Sequence, residues 1–363
     1  MIYRAIGIMS GSSLDGLDLA FTEFTETGGK WGYEIIAAEC MAYDEAWKTR
    51  LATATSLTAL EYQLLHADYG HYIGHAVNNF IEANNLHHQV NLIGCHGHTS
   101  FHLPKKKMTA QLGDGAAIAA ITKLPVVSDL RSLDVAFGGQ GAPIVPIGEK
   151  LLFGSYNFLL NLGGIANISI NTEGNYKAFD ICHANSILNL LVAKLGWLYD
   201  DGGKMAASGK VNDDLLQQLN ALEYYSKPAP KSLDNNFGTS IVIPLIVAAN
   251  LTVEDALSTY VEHIAIQLKV ALANNKQQTT NTKLLVTGGG AFNTFLIARL
   301  STLLANDNIE IVVPDEKLVQ YKEAVIMALI GLLRWREEAN VLASVTGAKQ
   351  NSIGGALWLG TEA

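Results

Sequence analysis

Apolar residues alternate with polar ones through "IYRAI" at the start of the chain and again through "LAFTEF", and the segment "GIMSGSSLDGLD" at 7–18 lies between them. Alternation with period two predicts strands, and a run of Gly, Ser and Asp predicts the tight turn that joins them. A third β-rich run, "WGYEIIAAECMAY", extends the pair into a meander. Residues 56–86 change to helical spacing. After them "VNLIGCHGHTSFH" reads as a buried strand running into a polar loop, "GDGAAIAAITKL" as a helix and "PVVSDL" as a strand. The loop "GGQGAP" at 138–143 is the first strong break and a candidate domain crossing.

The opening pattern then returns. "FLLNLGGIANISI" at 158–170 is again strand, glycine turn and strand, with "GNYKAFDI" as the next strand. Helical patterns occupy 185–222 and 239–276, and "NNKQQTTNTK" at 274–283 is linker-like. "KLLVTGGGAFNTFLIARLSTLL" predicts a strand, a triple-glycine turn and an amphipathic helix, "IEIVVP" a strand, and "KEAVIMALIGLLRWREE" a long helix. The repeat is too long for a solenoid and predicts two related halves, each opening on a hairpin around glycines.

A chain of 363 residues fits two domains of ordinary size. With 34 acidic and 25 basic residues the net charge is −9, and no basic stripe with interleaved aromatics exists, so nucleic acid is not an expected partner. Cys40, Cys95 and Cys182 lack CxxC spacing, which points to the reducing cytoplasm rather than a disulfide framework. "SIVIPLIVAANL" at 240–251 is too short to span a membrane and no signal-like segment opens the chain, so neither export nor anchoring is expected. The sequence leaves a homodimer open.

Phosphate oxygens are held best by converging backbone N–H groups, and only small side chains let a ligand come that close. Three glycine turns at strand ends meet this need. "GSSLDG" has the G-x4-G frame of a Walker loop, but Leu17 and Asp18 stand where Lys and Ser/Thr belong, and "GGGAFN" is not GxGxxG. Asp15 and Asp18 flank the first turn, where an aspartate commonly just caps backbone. Asp180 ends an apolar strand, a position that costs desolvation energy unless the carboxylate is paired or faces a cleft. His96, His98 and His102, and His71 and His75, fit hydrogen bonding or packing better than metal ligation, the second pair lacking the glutamate of HExxH. There is no GxSxG elbow. Nucleotide binding between two lobes is the reading that survives.

Together "GIMSGSSLDGLD", "DLRSLDVAFGGQGAPIVP", "NLGGIANIS", "KPAPKSLDNNFG", "VTGGGAFN", "YKEAV" and "SVTGA" resemble, in order and nearly end to end, the anhydro-N-acetylmuramic acid kinase family. The resemblance implies an α/β fold of two ribonuclease-H-like, actin-like ATPase lobes with an interlobe ATP and sugar cleft. The first lobe is expected over 1–130, completed by about 345–363, and the second over 131–344. It implies an ATP-dependent kinase of peptidoglycan recycling that hydrolytically opens 1,6-anhydro-N-acetylmuramic acid and phosphorylates O6. A kinase for another amino sugar or hexose, or a non-enzymatic actin-like ATP switch, would share the fold.

Carried over residue by residue, Asp180 is the family's catalytic base, although this chain reads "DICHAN" where the family commonly has "DTGPGN". Gly11, Ser12, Ser13, Leu14, Asp15, Gly16, Leu17 and Asp18, with Gly163, Gly164 and Asn167, are expected on the ATP phosphates, and Gly288, Gly289 and Gly290 near the adenosine. Mg²⁺ is expected on ATP phosphates and waters, without direct protein ligands. Sugar contacts are expected from His98, Arg131, Gln140 and Glu323. Arg131 would grip the lactyl carboxylate, or else pair internally with Asp129 or Asp134.

Overall fold

The first apolar run forms the middle of a mixed sheet. The computed structural model describes residues 1–11, 13–172, 175–229, 231–275 and 282–360. In it β1 (Ile2–Ser10), β2 (Gly16–Thr27) and β3 (Lys30–Ala42) make an antiparallel meander. β4 (Leu92–Leu103) and β6 (Val126–Ser128) add parallel strands on the β1 side, β5 (Met108–Leu112) pairs with β4, and β12 (Ala356–Trp358) closes the edge beyond β6. One face, carrying Ile6, Ile8, Leu19 and Ile93, packs on the helix Ala59–Ala83 through Leu65, Tyr69, Ile73 and Phe80. Thr58 and Glu61 close that helix's N-terminus with a reciprocal capping box.

The long apolar helix Glu316–Trp335 seats on the other face. Val325, Ile326, Met327, Ala328, Leu329 and Ile330 are fully buried, as a helix apolar all round requires. Gly7 and Gly94 are register partners in β1 and β4, and a Cβ on either would overlap the backbone of this helix, at Ala324 and at Met327. A Cβ on Gly331 would in turn come within 2.9 Å of the Gly94 Cα.

The second sheet repeats the arrangement. β7 (Phe158–Leu162), β8 (Ile165–Thr172) and β9 (Asn175–His183) form the meander, and β10 (Thr282–Thr287) and β11 (Ile309–Val312) follow parallel on the β7 side. Its core joins Phe158, Leu160 and Leu162 to the helices Asn185–Ala193, Val253–Ala273 and Thr294–Leu304. The fold is therefore α/β with two sheet-containing units.

The units divide at other points than the sequence suggested. One is Met1–Phe153 with Tyr321–Ala363, the other Gly154–Gln320, so the expected boundaries at 130/131 and 344/345 move to 153/154 and 320/321. Segment 131–153 stays with the first unit because the Asp134 carboxylate takes the Thr346 hydroxyl at 2.7 Å and Glu149 pairs with Lys322 at 2.9 Å, both buried. The helix residues from Tyr321 onward stay because the glycine faces receive them. The "GGQGAP" loop thus lies inside the first unit and is no crossing. The helical pattern of 185–222 is broken by a loop in which Gly196, Gly202 and Gly203 take positive φ. Strands β5 and β12, five and three residues long, were not anticipated. Among the described residues no helix is long and apolar enough to cross a membrane.

Gly7→Ala should lower the midpoint of urea unfolding, by about 1–3 kcal/mol or more in stability, because backbone rather than a yielding side chain fills the space. An unchanged midpoint would contradict the seating of the helix.

Candidate active site

Four strand ends of the second unit carry a row of polar residues. Thr287 pairs with Asn161, Asn161 with Asn167, and Asn167 with Asp180, across β10, β7, β8 and β9. Directly opposed residues share a face, so the row is one surface. A bulge at Ile181 sets its end: Ala166 pairs with Cys182 and Asn167 with Asp180, leaving Ile181 as the extra residue. Bulges of this kind re-aim side chains next to functional sites.

Asp180 is half-buried and held on one side only. Its Oδ2 accepts the Leu233 N–H at 2.9 Å and the Ser232 hydroxyl at 3.1 Å. The same loop takes the Asp180 N–H on the Lys231 carbonyl, and the Tyr224 hydroxyl donates to the Asp180 carbonyl. Oδ1 has no partner among the described residues. Burial holds the carboxyl above its ordinary range, while Leu233, Ser232 and the nearby His183 pull it back. A carboxylate anchored by one oxygen, with the other open and a raised proton affinity, is built to accept a proton.

The glycine turns sort into two kinds. At Gly288, with φ +81°, a Cβ would run into the Asn161 amide and the Leu162 backbone, so glycine is required by the fold itself. At Gly163, Gly164 and Gly289 the nearest atoms to an added Cβ are 3.5, 3.7 and 3.7 Å away, with ordinary φ. Nothing in the chain explains glycine there, but a ligand approaching the backbone would. Gly289 and Gly290 open on a cavity of about 520 Å³, walled also by Asn185, Tyr199, Phe292 and Gln320. That volume suits a nucleoside-sized ligand. Asn185 is fixed by its Nδ2 donating to the Leu162 carbonyl at 3.0 Å.

In the first unit the turn after β1 is mixed in character. Ser12 lies outside the described residues. At Gly11 an added Cβ would make an ordinary 3.5 Å contact with the Ser13 hydroxyl, Ser13 and Asp15 are exposed, and Leu14 takes φ +59°. Gly16 is glycine because a Cβ would strike the Met41 backbone, and the Leu17 side chain is wholly in the core. Those two could meet a ligand only through backbone. Asp18 is pushed up to about 6 by burial, against the Cys40 thiol that hydrogen-bonds it, with the charges of Glu323 and Asp15 raising it further. Glu323 is likewise raised by burial, opposed by Lys322 and Arg131.

Arg131 donates Nε to His96 Nε2 and Nη1 to the Gly141 carbonyl, each at 2.7 Å. Burial holds its guanidinium down to about 10. Neither expected internal pair forms: Asp134 is taken by Thr346 and the Gly141 N–H, and Asp129 by Ser132. Nη2 has no partner among the described residues, so the Nη1/Nη2 edge keeps a hydrogen on each nitrogen. His98 is buried, and its Nδ1 meets the Ser10 hydroxyl at 3.1 Å at the end of a chain running from Tyr69 through Tyr43. Its Nε2 has no partner among the described residues. Gln140 is exposed, and its backbone N–H donates to the Thr346 carbonyl.

The second unit thus brings together Asp180, Asn167 and the turns at Gly163–Gly164 and Gly288–Gly290. The first links Asp18, Glu323 and Arg131 electrostatically. Asn161, Tyr199, Ser232, Leu233 and Phe292 were not singled out from sequence as site residues, whereas Asn185 persists with Asp180 in "DICHAN" against the family's "DTGPGN". Only Asn161 left a local signal there, a polar residue inside the buried strand "FLLNL".

The sequence profile described as anhydro-N-acetylmuramic acid kinase matches residues 3–360. An anhydro-N-acetylmuramic acid kinase of Haemophilus influenzae is 32% identical over 377 residues, 97% of this chain and 97% of its own. That of Pasteurella multocida is 34% identical over 367 residues, 97% of this chain and 96% of its own. That of Methylorubrum extorquens is 36% identical over 333 residues, 83% of this chain and 85% of its own. On this evidence the chain belongs to the anhydro-N-acetylmuramic acid kinase family.

Proposed function

We propose that the chain uses ATP to phosphorylate O6 of 1,6-anhydro-N-acetylmuramic acid in peptidoglycan recycling while Asp180 draws a proton from the water that opens the anhydro bridge. The observation that carries this reading is the open Oδ1 of Asp180 at the end of a polar row whose neighbouring glycines leave room for a phosphate chain. Water attacks the anomeric carbon and its proton passes to Oδ1. The bond from that carbon to O6 breaks, and O6 takes the γ-phosphoryl group as ADP leaves. Products are N-acetylmuramic acid 6-phosphate, ADP and one proton released from Asp180 to solvent.

Backbone N–H groups at Gly11–Asp18 and at Gly163–Asn167 would hold the phosphates, and the cavity beside Gly289 the adenosine. Mg²⁺ arriving on those phosphates would neutralise charge during transfer. The open Nη1/Nη2 edge of Arg131 suits a bidentate grip on the lactyl carboxylate, with His98, Gln140 and Glu323 completing the sugar contacts. The two sheets, alike in strand order, are read as duplicated ribonuclease-H-like folds of the actin-like ATPases.

Asp180→Asn should lower kcat by about 10²–10⁴-fold with ATP affinity largely kept. In the native enzyme kcat/KM should be full above the raised pKa of Asp180 and fall as pH drops through it, so the acid limb lies above the ordinary carboxylate range and disappears in the variant. Near-normal turnover by Asp180→Asn would refute the base assignment.

Gly289→Val should raise KM for ATP far more than KM for the sugar with little change in Tm, since the branch enters the cavity. Gly288→Val, by contrast, should unfold the turn. A selective rise in sugar KM for Gly289→Val would displace the adenosine from this cavity.

Arg131→Lys keeps the charge and removes the fork, so it should raise KM for the anhydro-sugar about tenfold or more. An analogue lacking the lactyl acid should be affected much less. Equal losses for both would mark Arg131 as purely structural.

A further inference from the structure

His183 is wholly inside the second unit, with a relative exposure of 2%, yet both ring nitrogens are engaged. Nδ1 lies 2.9 Å from the Ser186 hydroxyl and Nε2 3.2 Å from the Asp234 carbonyl. The Ser186 hydroxyl also lies 2.8 Å from the Gly164 carbonyl. The Asp234 carbonyl can only accept, so Nε2 carries the hydrogen that reaches it. The Gly164 carbonyl also takes the Ala184 and Ser186 N–H groups, so the Ser186 hydroxyl can turn its one hydrogen to Nδ1 and complete the second contact.

The two anchors belong to the two parts of the site. Ser186, on the helix Asn185–Ala193, binds Gly164 of the turn read above as a phosphate contact. Asp234 directly follows Ser232 and Leu233, the donors that hold Asp180 Oδ2. The ring is clamped in place by a near-parallel stack on Phe237, 6.2 Å between centroids and 8° between planes, and by Gly238, where a Cβ would come within 3.0 Å of Nδ1. The Tyr260 hydroxyl holds the His183 carbonyl at 2.9 Å. We infer that His183 is a positioning residue: with Nε2 on the Asp234 carbonyl and Nδ1 on the Ser186 hydroxyl, its ring clasps the loop carrying the donors of Asp180 to the Gly163–Gly164 turn.

The inference rests on the reading of Asp180 as the base and adds what keeps that base registered to the phosphate turn. The titratable groups around the ring are few. Asp180 and Cys182 share its strand, Lys231 and Asp234 come from the loop, Tyr224 lies behind Phe237, and Tyr260 comes from the helix Val253–Ala273. The Asp234 carboxylate is committed to the Asn236 N–H. Burial holds Cys182, Tyr224 and Tyr260 in their neutral forms.

The test uses His183→Gln, which keeps one donor, and His183→Phe, which keeps the stack alone, each assayed at a temperature where it is folded. Both should lower kcat by about 10–100-fold, Phe more than Gln, the scale expected when a reacting group is misplaced. In both variants the acid limb of kcat/KM should move to higher pH as the Leu233 and Ser232 donors that hold Asp180 down come loose. In the native protein, the ¹⁵N shifts of the His183 ring, assigned by their loss in His183→Gln, should place hydrogen on Nε2, the nitrogen that faces the Asp234 carbonyl. A kcat within twofold of native in both variants with an unmoved acid limb, or a ring with Nε2 bare, overturns the inference. The ring shifts do not depend on the role of Asp180, so failure of the base assignment, read from Asp180→Asn, stays distinguishable from failure of the clasp.

Discussion

The first unit depends on an approach of backbone to backbone. Gly7 and Gly94 lie side by side in β1 and β4, and the helix Glu316–Trp335 lies so close over them that no side chain fits beneath it. Dispersion and burial then act along the whole helix, whose residues Val325–Ile330 are excluded from water. The same contact decides which part of the chain belongs to which unit, since it draws the segment from Tyr321 back to the sheet formed by residues 1–153. It also fixes Glu323 and Lys322, one beside the first-turn Asp18 and the other in a buried pair with Glu149. A structural seam and a chemical surface are thus held by one helix.

In the second unit the proposed chemistry rests on unequal satisfaction of one carboxylate. Two donors on Oδ2 orient Asp180 and favour its ionised form, and burial works against them. The balance keeps a fixed direction and a usable proton affinity together, which neither full solvation nor full pairing would allow. The loop that supplies those donors lies about fifty residues downstream and reaches Asp180 only because Tyr224 and Lys231 also bind the Asp180 backbone. The proposed site therefore draws on a strand, a distant loop and two glycine turns.

Much of this could be read from the sequence. Period-two runs marked the two meanders, glycine clusters marked the turns, and the cost of a carboxylate ending an apolar strand marked Asp180. Other features carry no local signal. Gly7, Gly94 and Gly331 each look like ordinary glycines in apolar runs, and a helix apolar on all sides does not say which sheet will receive it. Hence the displaced boundaries. Ser232 and Leu233 act on Asp180 through a hydroxyl and a backbone N–H, and a backbone donor has no residue type to betray it. Arg131 was left between two roles because its partners, His96 and the Gly141 carbonyl, are set by tertiary structure while Asp129 and Asp134 are merely near in sequence.

The division of the glycines has a consequence for how this chain tolerates change. At Gly7, Gly94 and Gly288 any side chain collides with the protein's own atoms, so substitution there reduces the amount of folded protein in a cell. At Gly163, Gly164 and Gly289 an added Cβ meets only ordinary contacts, so a substituted chain can fold, accumulate and escape quality control while, on the proposed reading, failing to admit its ligand. A survey of variants scored by cellular abundance would see the first group and be blind to the second. Only selection on growth that needs the recycled sugar would hold those three positions as glycine.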